Sequence, residues 1–346
     1  MRKLAVVLAM ILVMSVPAGA MEFHAPSAPE QAQKYMPDET ESFGQGLLFV
    51  MKSALRELQP GLVEAAVVCI SLVAASILVG LVTELSSNVK HTVEMIGVIT
   101  VGILLFRPVN SMINLGTATV QQISQYGKLL LPVMTGALAA QGAINKSGAL
   151  YAATAFFDAV LSGIISDLLV PLVYILLCVF VASHLVSQPL LQEMSKLLKW
   201  LLTWGLKTVL YIFTGYISIT GVVGGTTDAA MLKATKLTIS GMVPAVGSIL
   251  SDASEAVLVS AGLMKNAAGI YGLLTMLALW IGPFLQIGIQ YLMLKVTAGI
   301  CEMFGSKKMV GLMKEFSSAM GLVLAMTSTV CLIFVISTIC FMKGVS

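Results

Sequence analysis

Between Leu62 and Met342 the chain repeatedly runs for about 20 residues with almost no charge, and each run stops at a short polar loop that carries lysine. As helix, a run of that length crosses a hydrocarbon core about 30 Å thick. Lipid offers backbone amides no hydrogen bonds, so each spanning segment must satisfy its own. The chain therefore reads as all-α, a polytopic transmembrane helical bundle. Every polar residue inside it needs a physical reason.

Composition points the same way. Hydrophobic residues make up 58% and charged residues 11% of the chain, against about a quarter charged in soluble domains. The 21 methionines suit interhelical packing, where flexible thioethers fill gaps. A net charge of +3, spread through loops, gives no basic face for nucleic acid. Of the five cysteines, Cys69, Cys178, Cys331 and Cys340 lie inside apolar runs and Cys301 lies beside one. An odd count without CxxC reads as small buried hydrophobes and not as a disulfide framework.

The first twenty residues have the pattern of an export signal. Arg2 and Lys3 precede the apolar stretch Leu4 to Val16, and Ala18 and Ala20 supply the small residues of a cleavage site. Cleavage after Ala20 is expected; a retained anchor is the alternative. Residues 21–42 follow as an acidic extracytoplasmic arm, expected to be disordered, broken by Pro26, Pro29 and Pro37. Residues 43–60 read as an amphipathic helix, with Leu47, Leu48, Val50, Met51, Leu55 and Leu58 on one broad face. Such a face suits either a membrane surface or a partner.

The polytopic membrane domain occupies 61–346. Spans are expected at 61–83, 92–113, 168–187, 200–222, 268–292 and 318–342. Shorter or more polar apolar segments at 129–143, 149–166 and 238–262 are expected to be broken spans or re-entrant hairpins, because they carry proline, glycine and acidic residues. These include Pro132, Gly136, Gly142, Pro244, Gly247, Asp252 and Glu255. Leu131-Pro132-Val133-Met134-Thr135-Gly136 is echoed by Val243-Pro244-Ala245-Val246-Gly247-Ser248, and Pro171 and Pro283 follow at equal distances. A parallel duplication of 128–222 in 240–342 is the expectation, with the Pro/Gly segments as the functional centre.

Intramembrane charge is the other pointer to function, since such groups usually face a partner or a cavity. Arg107 sits toward the end of its run, where it can snorkel. Lys207 lies deeper, and Asp158 is its expected partner by depth. Chemistry has little support. The three histidines, His24, His91 and His184, are far apart, and neither HExxH, GxSxG nor a Walker-type loop occurs. No catalytic residue, metal site or cofactor is expected, and an enzyme is not indicated.

Two stretches carry a family resemblance: Lys128 to Leu150, KLLLPVMTGALAAQGAINKSGAL, and Lys236 to Gly269, KLTISGMVPAVGSILSDASEAVLVSAGLMKNAAG. They resemble the signature regions of the stage III sporulation protein AE family. The resemblance extends from about residue 40 to the C-terminus. It implies a multi-pass protein of the mother-cell membrane surrounding the forespore. It further implies a secretion-like channel complex, with membrane and ring-forming proteins of the same operon, an ATPase and a forespore-side channel protein as partners. It supplies no catalytic residues. A stand-alone secondary transporter and a scaffold for partner rings are the competing readings of the same broken-helix pattern.

Overall fold

The computed structural model describes residues 25–37, 42–85, 90–140, 144–186, 188–219, 267–304 and 306–343. Among them every regular element is helical. A single turn, α1 (Glu30–Gln33), precedes α2 (Phe43–Arg56), α3 (Gln59–Leu85) and the 51-residue α4 (Lys90–Ala140). Next come α5 (Ile144–Gly163), a π-helical segment (Ile164–Leu169) and α6 (Val170–Val186), then α7 (Pro189–Ile219), α8 (Ala267–Cys301) and α9 (Lys307–Lys343). Local chemistry sets several of these limits. Ser42 caps α2 by accepting from the Gln45 N–H at 3.4 Å, and Ser306 serves the Met309 N–H at the start of α9 in the same way. Pro189 occupies the first position of α7, where a missing N–H costs nothing.

Among the described residues, five stretches are long and apolar enough to cross a membrane: Gln59–Leu85, Lys90–Leu138, Ser147–Val186, Gly269–Cys301 and Lys307–Met342. This bears out the polytopic helical reading but redraws its segments. The run 92–113 and the described part of 129–143, up to Ala140, belong to one helix, α4. It is about 75 Å long at 1.5 Å per residue. The residues between those runs were too polar to read as a span. They are nevertheless helical because Val120, Ile123 and Tyr126 turn inward while Gln121 and Gln125 face out. Pro108 and Pro132 sit inside this helix without ending it. The break expected at Pro132 is absent, and Thr135 Oγ1 instead donates to the Leu131 carbonyl one turn back at 2.7 Å.

The runs 149–166 and 168–187 are likewise one continuous path. Pro171 cannot donate to the carbonyl four residues before it, and its ring crowds that turn. The π segment widens the helix just upstream, and the Val170 N–H reaches the Ile165 carbonyl. The described part of the expected span 200–222, up to Ile219, falls in α7, which is not among the five. Glu193, Lys196, Lys199 and Lys207 make it amphipathic. The segment 238–262 lies outside the described residues, as do residues 1–20.

Two antiparallel hairpins, α3–α4 and α8–α9, lie side by side pointing the same way. Gly61 and Cys69 of α3 meet Gln286 and Thr297 of α8, and Gly80 meets Phe304 in the turn beyond it, in that order. Gly97, Gly116 and Gly127 of α4 meet Met309, Val323 and Phe334 of α9. A Cβ at Gly127 would overlap the Phe334 ring, so only glycine permits this approach of α4 to α9. The packing is layered. In the apolar windows of α8 and α9, 78% of residues are buried, against 22% in that of α3. The last hairpin is therefore the core, and α3 is the rim.

The arm is irregular but not free. Ala28, Ala32 and Tyr35 are buried. Tyr126 Oη donates to the Pro26 carbonyl at 3.3 Å, and the Tyr35 ring lies against Gly282 of α8. Disorder was expected from composition for 21–42. Residues 25–37 are held because their few apolar side chains find a groove on α8 that no sequence pattern announces.

Candidate functional site

The polar groups of the bundle gather along the path from α5 to α6. Asp158, buried in α5, accepts a hydrogen bond from Ser124 Oγ of α4 at 2.7 Å. Its other oxygen, Oδ1, has no hydrogen-bond partner among the described residues. Lys128, one turn beyond Ser124, is exposed and acts on the carboxylate electrostatically. One turn before Asp158, Thr154 donates to Ser337 Oγ of α9 at 2.9 Å, both groups being buried. Farther along, Tyr174 Oη of α6 donates to Asn110 Oδ1 of α4 at 2.7 Å. The path is thus bound by side-chain hydrogen bonds to both α4 and α9. Such bonds glue helices where apolar packing alone is not selective.

The expected partnership of Asp158 with Lys207 is not formed. Asp158 bonds Ser124, while Lys207 is only half-buried on α7 and no ion pair joins the two. The two are not level: Phe157, beside Asp158, packs on Phe213 and Tyr216, which lie six and nine residues beyond Lys207 on α7, and Asp158 itself turns toward α4. Arg107 is exposed, as a snorkelling residue would be. Pro132 is exposed and Gly136 half-buried on the same helix. Gly142, Pro244, Gly247, Asp252 and Glu255 lie outside the described residues.

Sequence reasoning missed Ser124, Thr154 and Ser337. Thr154 and Ser337 are small hydroxyls in apolar runs and Ser124 stands among glutamines, patterns too common to single out. It also missed the charged end of the bundle. Lys199 of α7 pairs with Glu315 of α9, and Lys314 pairs with Glu302 beyond α8. Among the described residues, no three His, Cys, Asp or Glu side chains lie where they could hold a metal ion.

A second cluster fastens the arm. Glu57, at the end of α2, accepts from Lys34 Nζ at 2.6 Å and from Tyr35 Oη at 2.9 Å. These two bonds, that from Lys34 first, hold its carboxyl below the usual range.

A bundle of helices, several of them long and apolar enough to cross a membrane, defines a polytopic membrane protein. The family model of stage III sporulation protein AE matches residues 33–344, and the chain belongs to that family. A curated relative, stage III sporulation protein AE of Bacillus subtilis (strain 168), is 23% identical over 238 residues. That alignment covers 68% of this chain and 60% of the relative, so the chain spans less than two thirds of the relative's length. No solved structure matches.

Proposed function

We propose that the chain is an integral membrane subunit of the channel complex between mother cell and forespore, a secretion-like assembly required for endospore formation. Family membership across residues 33–344 is the observation that carries this reading. On it, the chain sits in the mother-cell membrane around the forespore. Its partners are the membrane and ring-forming proteins of its operon, an ATPase and a forespore-side channel protein. A cavity between α4, α6 and α9, lined by Ile113, Val173 and Val323 among others, holds about 10 Å³ and is apolar. A space of that size and lining stays dry.

Affinity purification of the tagged full-length protein from sporulating cells tests this. Co-purification of ring-forming proteins and an ATPase encoded alongside it is the expected result. If the pull-down captures none of them and the purified protein alone shows saturable, ion-gradient-driven uptake in vesicles, the transporter reading replaces it.

A further inference from the structure

The exposed face of α4 changes character partway along. Ile96, Ile99, Ile103 and Phe106 are exposed in its first third. From there on the exposed positions are Arg107, Ser111, Asn114, Gln121, Gln125 and Lys128, with Leu129 and Pro132 as the exceptions. A helix about 75 Å long cannot lie within a hydrocarbon core of about 30 Å, so one part of it must leave the lipid. The side chains indicate which part.

The neighbouring helices agree. On α3, uncharged residues 65–83 lie between Glu64 and Glu84, a length of about 29 Å, and Val67, Ile70, Ile77, Leu78 and Leu81 are exposed along it. Val79 of α3 lies level with Gly97 of α4, so this stretch runs beside the apolar first third of α4. On α8 the exposed large apolar side chains are Leu292, Val296, Ile300 and, in the turn beyond, Met303 and Phe304, with Tyr271 alone near the other end. Lys295 is exposed among them, and its Nζ reaches back to Tyr291 Oη at 3.3 Å, away from the apolar zone.

From this geometry we infer that the bilayer grips the α3–α4–α8 face only between the levels of Glu84 and Glu64, and that the bundle beyond Arg107 stands in water as a helical head. The occupant of the girdle is lipid. On α3 its height equals one hydrocarbon thickness and it is uncharged between acidic brackets, and apolar side chains continue it across α4 and α8, where Arg107 and Lys295 are long enough to snorkel. The head contains α4 beyond Arg107, α5, the first half of α8, the second half of α9 and the docked arm. Asp158 and Ser124 then belong to the head and not to the membrane interior.

Depth measurement by spin labelling tests this on the full-length protein in phosphatidylethanolamine–phosphatidylglycerol vesicles. Single cysteines replace Ile99, Ile103, Ile70, Gln121 or Gln125 after the native cysteines are removed, and each carries a nitroxide. All five sites are exposed, so labels there do not disturb the core. Labels at 70, 99 and 103 should collide with dissolved oxygen in preference to a water-soluble nickel chelate. At 121 and 125 the preference should invert. Oxygen preference at 121 and 125 would place the whole of α4 in lipid and overturn the inference. Low collision with both reagents there would show that protein covers this face, and would also overturn it.

Discussion

At the residue scale, the bundle depends on contacts that tolerate little change. Asp158 gives Ser124 its acceptor. Asp158→Ala leaves a buried hydroxyl without that partner and should cost about 1–3 kcal/mol, whereas Asp158→Asn keeps an acceptor and should cost less. Thermal unfolding in detergent, compared with steady-state level in cells, checks this. Equal losses in the two variants would show that the charge, and not the hydrogen bond, is what the site needs. Gly127 is a second such point, because an added Cβ would collide with Phe334. Gly127→Ala should lower stability by about 1–3 kcal/mol, and Phe334→Leu in the same chain should recover part of it. An additive or worse double variant would mean the loss comes from elsewhere.

At the element scale, the arm is the part most open to regulation by conditions. It is anchored by buried apolar side chains and by the Lys34–Glu57–Tyr35 cluster. Glu57 has its carboxyl held below the ordinary value of 4.5 in the docked state, first by Lys34 and then by Tyr35. A depressed carboxylate contributes stability that is complete above its unfolded pKa and is lost as pH falls through the folded one. Docking of residues 25–37 should therefore be constant around neutrality and weaken in acid, below the ordinary glutamate range. Because side chains of Glu57 and Lys34 are 45% and 47% exposed, solvent screens the pair and the change should be modest. Hydrogen exchange of the arm amides, corrected for intrinsic rates, follows this directly. Glu57→Gln should remove the pH dependence. Identical protection in acid and at neutrality in the unaltered chain would sink the argument.

The long helices pose a different question at this scale. Pro108, Pro132 and Pro283 all lie inside helices, and only Pro171 comes with a widened turn. Proline in sequence therefore marked a candidate break without deciding whether one forms. Packing decided it, because neighbouring helices hold the segment on both sides of the missing hydrogen bond.

At the scale of the whole molecule, the parallel arrangement of the hairpins α3–α4 and α8–α9 is the organising feature. It places the helix ends Leu85, Lys90, Cys301 and Lys307 together at one end and the arm at the other. In a chain with its native cysteines removed, Gly97→Cys with Met309→Cys should be linked by a short bismaleimide, and Gly97→Cys with Phe334→Cys should not. Linkage in the second pair alone would reverse the relative direction of the hairpins. The helical, membrane-crossing character of the chain was legible in the sequence, because hydropathy over about 20 residues is a local property that lipid enforces segment by segment. The family was legible too, in the stretches Lys128–Leu150 and Lys236–Gly269. The partner of Asp158, the burial of the arm on α8 and the joining of separate apolar runs into single helices were not. Those depend on which face of one helix meets which face of another, and on residues more than a hundred positions apart, as Tyr35 and Gly282 are. Sequence determined the solvent each segment can tolerate; only the tertiary structure decided which side chains leave that solvent for each other, since the rotation and register of packed helices are fixed by mutual fit and not by any one segment's pattern.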